Sequence, residues 1–486
     1  MDQSVANGNA ASGSADVPLV VDLDGTLLRT DLFVECLIGW VAARPSRLAL
    51  VAGRTPKARA ELKARVAGDV DIAERAFPVR QDLLDHLHAE SARGRRIYLA
   101  TATDRKWAEC IADRFAVFDG VFASDGETNL KGAAKADALV AAFGAGNFDY
   151  IGDSAADLAV WAVARRAIAV DASRRVRGRL AALQPGFDTL SPRPSPLRPL
   201  VKAMRVHQWA KNLLVFLPAL AAHRFDLATL VALALTFVAF GLVASAVYVV
   251  NDLVDLQSDR DHRRKRARPF ASGDLPVRTG LAMAPILFCA GLAIAASVSP
   301  MLLAVLAAYV AVTSAYSAWL KRKPIVDVAA LAALYTVRLV AGGVAAGVIL
   351  SPWLLGFSTF LFLSLALVKR LTELRSRLDE GRGDPLGRGY RLDDIPVLMS
   401  LASAAGYAAV VVLALYIESS DMRGLYHTPH GLWAAAGLLL FWISRVLLLA
   451  QRGEMHDDPI VFAFSDWTSR MTGGLVAIAV ISSSIL

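Results

Sequence analysis

The chain has 486 residues, 55% of them hydrophobic, a formal net charge of +8 and three cysteines. That length allows two or three domains, and the apolar fraction, high for a soluble protein, collects after about residue 205 in runs of membrane-spanning length. The basic residues concentrate in loops between those runs, so the net charge does not mark a nucleic-acid partner. Cys36, Cys110 and Cys289 have neither paired nor metal-ligand spacing, which argues against a disulfide framework.

Residues 1–17 are small and polar with no apolar core, so a disordered tail is expected rather than a signal peptide. Residues 18–188 read as a soluble α/β domain. PLVVDLDGT (Pro18 to Thr26) is a short apolar strand running into Asp22 and Asp24, then a glycine turn. Strand ends followed by glycine turns are where α/β folds place reacting groups, and two neighbouring carboxylates can divide nucleophilic and acid–base roles. GRRIYLATATDR (Gly94 to Arg105) is a second strand, ending in the hydroxyls of Thr101 and Thr103. NLKGAAKADAL (Asn129 to Leu139) puts Lys131 at a helix start with Lys135 one turn on, and FDYIGDSAADLAVW (Phe148 to Trp161) ends a strand at Asp153 with Asp157 four residues later. Residues 31–81, rich in Ala, Arg and Leu, have helical periodicity and read as a small cap.

These four stretches, in this order, resemble the haloacid dehalogenase-like phosphatase superfamily. The resemblance implies a Rossmann-like domain with a helical cap, in which Asp22 is the nucleophile and Asp24 the general acid/base. It further implies that Thr101 holds the phosphoryl group and that Asp22, Asp24, Asp153 and Asp157 bind Mg²⁺. Lys131 best matches the charge-neutralising lysine, with Lys135 the alternative.

Residues 189–204 are Pro-rich and read as a short linker that keeps the two parts close. Residues 205–486 then read as an all-helical membrane domain of nine spans, at about 210–222, 227–250, 280–299, 300–320, 325–347, 351–370, 396–417, 430–451 and 468–486. Lys and Arg follow the second, fourth and sixth spans, whereas the opposite loops hold little beyond Arg224 and Arg423. The positive-inside rule therefore puts the soluble domain in the cytoplasm of a plasma (inner) membrane protein, and nine spans put the C-terminus outside.

The polar groups of this half gather at its cytoplasmic ends. Asn251, Asp252, Asp255 and Asp259 follow the second span, with the aspartates three and four residues apart, a spacing that puts carboxylates on one helix face. Such oxygen ligands suit Mg²⁺, and Mg²⁺ suits a diphosphate. HQWAKN (His207 to Asn212, with Gln208 and Lys211), YSAWLKRKPIVD (Tyr316 to Asp327, with Lys321) and KRLTEL (Lys369 to Leu374) join them, and Arg338 lies mid-span, where an unpaired charge is costly.

NDLVDLQSD resembles the first aspartate motif, NDxxDxxxD, of the UbiA-type membrane prenyltransferase superfamily. Where many members carry a second, DxxxD, motif, this sequence has only Asp327. Lys321 with Asp327, RVHQWAKN and VRLVAGG (Val337 to Gly343) are similar to the decaprenyl-phosphate phosphoribosyltransferase branch. The resemblance implies a bifunctional enzyme. Its membrane part uses Mg²⁺ to transfer 5-phosphoribose from phosphoribosyl diphosphate to polyprenyl phosphate, with Asp252, Asp255 and Lys321 catalytic and His207, Gln208, Lys211, Asn212, Tyr316, Arg338 and Lys369 binding substrate. Its soluble part then removes the 5-phosphate. Homo-oligomerisation is left open. The rival readings are an aromatic-acceptor prenyltransferase, a transporter, which would place its site near the bilayer midplane, and a scaffold whose soluble domain only regulates.

Overall fold

The computed structural model describes residues 17–51, 56–125, 128–191, 195–385, 388–419, 428, 431–455 and 458–485. The expected tail up to residue 16, and Arg423, lie outside them. The chain forms two compact units, one of residues 1–203 with 249–283, the other of residues 204–248 with 284–486.

The first unit is built on a parallel six-stranded sheet of β1 (Leu19–Val21), β2 (Ile97–Asp104), β3 (Gly120–Ser124), β4 (Asp149–Gly152), β5 (Arg166–Val170) and β6 (Asp188–Leu190), in the order β3-β2-β1-β4-β5-β6. Alternation along β1 explains its double burial: Leu19 and Val21 enter one core, Val20 the other. The order reverses at β1, which pairs with β2 on one side and β4 on the other. A crevice is expected outside the carboxyl ends of the strands at such a switch point, where Asp22, Asp24 and Asp153 sit. Helices α1 (Leu32–Ala43) and α2 (Pro56–Asp69) occupy the stretch read as a cap. Asp31 caps α1 by accepting from the Val34 amide at 2.9 Å.

Two features differ from the expected linker and domain bounds. The main chain of Asp188–Leu190 pairs with Ile168–Val170 as an edge strand, before the first proline can interrupt it, and Leu197–Met204 is helical. Residues 249–283, read as part of the membrane domain, also belong to this unit. They comprise the end of α3 (Leu227–Val254), α4 (Leu256–Asp261), a basic turn and the start of α5 (Val277–Val298).

Glu35 of α1 joins these segments. It accepts from Arg260 Nη2 at 2.9 Å, Gln257 Nε2 at 2.8 Å and Thr30 Oγ1 at 3.0 Å, while Arg260 also donates to the Ala76 carbonyl. The Arg260 and Glu35 side chains are only 6% and 2% exposed. Removing one partner of a buried ion pair costs about 3–5 kcal/mol. Glu35→Ala is therefore expected to speed amide exchange in α4 by roughly 100-fold or more, by local opening, measured by hydrogen-exchange mass spectrometry; unchanged exchange would deny Glu35 this role.

The second unit is helical. Among the described residues, seven helices are long and apolar enough to cross a membrane: α3, α5, α6 (Pro300–Ala318), α7 (Val326–Ala346), α8 (Pro352–Asp379), α9 (Ile395–Glu418) and α10 (Leu432–Gln451). The other two expected spans fall short of that measure. The first is a 3₁₀ helix, Val206–Phe216, running into the five-residue helix Leu217–Ala221 with Pro218 at its start. The last, Trp467–Ile485, is helical, but Arg470 and several serines dilute its apolar character.

Candidate active sites

The strand ends of the first unit bring together residues far apart in sequence. Asp22 Oδ1 accepts from Lys135 Nζ at 2.6 Å, and Asp22 Oδ2 from Thr26 Oγ1 at 3.2 Å. Lys135 is buried, also donates to Tyr150 Oη at 3.0 Å and lies 3.7 Å from Asp157 Oδ1. Asp24 faces the end of β2, where its Oδ2 accepts from Thr101 Oγ1 at 3.2 Å and Thr103 Oγ1 at 2.8 Å, while its Oδ1 takes the Leu32 amide at 2.7 Å. The lysine that reaches Asp22 is thus Lys135, which α-helix Ala133–Phe143 carries inward, whereas exposed Lys131, preferred from sequence, lies on the wall of the same cavity. They differ in burial because Lys131 lies before the helix, ahead of Gly132 at φ +61°, whereas Lys135 is inside it, on the face of Leu139, which packs in the core.

Oxygens of Asp22, Asp153 and Asp157 lie within 4.8 Å of one another. Asp157 is engaged by Tyr150 Oη at 2.7 Å and by the Ser154 hydroxyl and amide at 2.8 and 3.0 Å, so it also braces the turn. Gly25, at φ +85°, leaves the Asp153 carboxylate room: a Cβ there would lie 2.5 Å from Asp153 Oδ2. Burial pushes Asp22 up to about 7, against the pull of Lys135 and with repulsion from Asp157. Burial and then the charge of Asp22 push Asp153 well above the usual carboxylate range. Crowded carboxylates of this kind fit a divalent cation, with Asp22 and Asp153 facing it and Gly25 giving clearance. Asp24, turned toward the hydroxyls, lies outside this group.

A proton test follows. Raised folded-state pKa values mean that the crowded carboxylates of Asp22 and Asp153 keep a proton between them at pH values where ordinary aspartates have lost theirs, and a cation must displace that proton. Mg²⁺ added to metal-free protein is expected to bind more tightly as pH rises from about 6 to about 8 and to release protons. Calorimetry in two buffers of different ionisation enthalpy counts them, and Asp22→Asn should lower the count. No proton release in the wild type would contradict the arrangement.

The aspartate motif straddles a break. α3 ends at Val254, and Asp255 is the N-cap of α4, yet i to i−4 bonds persist from the Asp255 amide to Asn251 O and from the Asp259 amide to Asp255 O, both 2.9 Å. Asp252 and Asp259 are buried and share the Arg268 guanidinium, at 3.1 and 2.7 Å. Asp259 Oδ1 is buried without a hydrogen-bond partner among the described residues, and burial pushes Asp259 up while Arg268 pulls the other way. An unfilled oxygen beside a cation-bridged pair fits a cation or a cation-bound ligand. Asn251 and Asp255 are half-buried in the same turn.

In the second unit, Lys211, Asn212, Arg338 and Lys369 come together. Lys211 Nζ and Lys369 Nζ both donate to Asp458 Oδ2, at 2.8 and 2.7 Å, and Tyr335 Oη donates to the same carboxylate. Burial alone would raise Asp458, but Lys369 and Lys211 outweigh it and hold its carboxyl well below the usual range. Arg338 Nε donates to Asn212 Oδ1 at 2.9 Å, and its guanidinium lies 5.2 Å from the centroids of Phe240 and Tyr309. His207 is exposed and Gln208 half-buried on the 3₁₀ helix. Asp458 and Tyr335 are absent from the sequence reading; the only signal was Asp458-Pro459, a helix start.

A separate knot forms around Asp327, which is fully buried. It accepts from Arg370 Nε and Tyr390 Oη, both at 2.6 Å, while Arg370 also donates to Tyr316 Oη at 2.7 Å. Arg370 and Arg388, read as positive-inside charges, thus serve internal acids. Lys321, in the turn Leu320–Arg322, is half-buried.

Residues 212–467 match the UbiA prenyltransferase family. The chain belongs to that family. This UbiA-family chain is 37% identical over 466 residues to the protein y4nM of Sinorhizobium fredii, covering 95% of this chain and 90% of that one, so both units have counterparts there. It is 37% identical to the nodulation protein NoeC of Azorhizobium caulinodans, over 56% of this chain and 89% of the relative. It is 35% identical to the decaprenyl-phosphate phosphoribosyltransferase of Corynebacterium glutamicum, over 55% of this chain and 81% of the relative. The UbiA-family chain is thus a multi-pass membrane protein with a transferase domain.

Proposed function

We propose that the membrane domain transfers 5-phosphoribose from phosphoribosyl diphosphate to a polyprenyl phosphate, and that the N-terminal domain is a haloacid dehalogenase-like phosphatase that removes the 5-phosphate. The observation that carries the first half is Asp327. This acid, in the region where a second metal motif would lie, is buried, neutralised by Arg370 and hydrogen-bonded by Tyr390. One acidic metal motif is then left for the donor diphosphate, and an acceptor monophosphate needs cations rather than a second metal. Lys211, Arg338 and Lys369 are the candidate phosphate holders, an excess of positive charge over Asp458, and the Corynebacterium relative points the same way. An aromatic-acceptor prenyltransferase is the weaker alternative on the same ground.

In the transfer, a phosphate oxygen of the lipid bonds to the anomeric carbon as the bond to diphosphate breaks. Asp252, Asp255 and Asp259 would hold Mg²⁺, which when bound neutralises the leaving diphosphate. In the hydrolysis, Asp22 attacks phosphorus while Asp24 gives its proton to the departing ribose hydroxyl; Asp24 then takes a proton from the water that opens the aspartyl phosphate. Burial and the charge of Asp31 raise Asp24, which suits a proton donor. Lys135 stays charged because Asp22 and Asp157 outweigh the effect of its burial.

The test is to incubate membranes containing the protein with labelled phosphoribosyl diphosphate and polyprenyl phosphate. Label is expected in the lipid extract as a ribosyl phosphodiester. Label that stays wholly in the aqueous phase, with incorporation from a prenyl diphosphate instead, would favour the aromatic-acceptor reading. On this reading both domains work at the cytoplasmic face of a plasma membrane, where phosphoribosyl diphosphate is available.

A further inference from the structure

The cavity that holds Asp22 and Lys135 has a volume of about 1070 Å³, just above the usual range for sites that take whole small-molecule ligands and far more than one phosphoryl group fills. One wall is Gly273–Thr279, a stretch some 250 residues away in sequence from the nucleophile that it faces. Gly273 lets it approach: at φ +75°, a Cβ there would lie 2.5 Å from Arg29 Cβ. Two ion pairs fasten the stretch, Arg29 with Asp274 at 3.5 Å and Arg278 with Asp31. From Val277 the wall continues directly into α5, one of the helices able to cross a membrane. The first turn of that apolar helix is therefore part of the cavity wall.

Apart from Arg29 and Arg80, which Asp274 and Asp171 hold, the cations of this cavity fall into two sets. Lys135 is spent on the nucleophile. Lys63, Lys131 and Arg278 line the cavity but do not engage Asp22 or Asp153. Burial, then the charge of Lys131, hold the Lys63 ammonium below its usual range, so these like charges face a common space. A second anion in that space would partner Lys63 and Lys131 and share Arg278 with Asp31.

Resting on the phosphatase reading above, we infer that Arg278 and Lys131 are specificity residues: they hold a second phosphate, the diester that ties the substrate to a lipid chain, and the chain leaves along the first turn of α5. The substrate class is then a phosphomonoester whose sugar carries a lipid phosphodiester, in preference to a free sugar phosphate.

The experiment uses full-length protein in lipid nanodiscs with two probes, p-nitrophenyl phosphate and a polyprenylphosphoryl ribose 5-phosphate. Arg278→Ala and Lys131→Ala are each expected to raise KM for the lipid probe at least about tenfold more than for p-nitrophenyl phosphate, the size of a lost charge-assisted contact, with kcat little moved. Arg278→Lys should restore part of the loss. Equal effects on both probes would mean that Arg278 only fastens the loop, and an unchanged KM for the lipid probe would also overturn the inference; in both cases the phosphatase reading survives. A wild type that hydrolyses p-nitrophenyl phosphate but not the lipid probe would overturn both.

Discussion

Asp22→Asn is expected to make the phosphorylated lipid accumulate while transfer from phosphoribosyl diphosphate continues. An amide cannot attack phosphorus, and loss of a nucleophile commonly costs about 10⁴-fold or more. The substitution is nearly isosteric, and Lys135 keeps Asp157 at 3.7 Å and Tyr150 at 3.0 Å, so the site should stay folded. Mass analysis of the lipid extract decides it: the variant should yield a product heavier by one phosphoryl group than the wild type. The shared chain gives this result its sense, because a tethered phosphatase meets the transfer product at a high effective concentration. If wild type and variant yield the same phosphorylated lipid, the N-terminal domain acts on another substrate, even with both sites active.

Asp255→Ala is expected to reduce transfer by roughly 10³-fold, the several kcal/mol that a metal contributes to a developing diphosphate charge. It is a cleaner test than Asp252→Ala, since the Arg268 ion pair involves Asp252 and Asp259 and not Asp255. Removing Asp252 should abolish transfer too, but it also leaves Arg268 with one carboxylate. Hydrolysis of p-nitrophenyl phosphate by the same preparation checks that the chain is folded. Near-normal transfer in the Asp255 variant would remove the metal-cluster reading of the motif, and excess Mg²⁺ that restored activity would place Asp255 at the edge of the site.

Some of this was legible from residues alone because local chemistry decides it. Apolar length marks a membrane helix, since an unsatisfied backbone cannot cross a bilayer, and seven of the nine expected spans meet that measure. A strand running into DLDGT with a glycine at positive φ is a local turn, and Asp22, Asp24 and Gly25 stand where that turn puts them. The single acid of the Tyr316 to Asp327 stretch was likewise visible as a departure from the two-motif pattern.

Partnership across the chain was decided by the tertiary structure. Lys131 and Lys135 look equivalent in sequence, but the helix begins only at Ala133, and its packing in the core turns Lys135 toward Asp22. Arg268, Arg370 and Arg388 count as topogenic charges until the fold sets them beside Asp252, Asp259 and Asp327. Asp458 carries no motif, yet it gathers two lysines from distant segments. The docking of residues 249–283 on α1 through Glu35 joins groups more than 200 residues apart in sequence. Periodicity and turn chemistry act over a few residues and so are written in the sequence; which charge neutralises which depends on where folding brings side chains out of water, where an unpaired charge costs most.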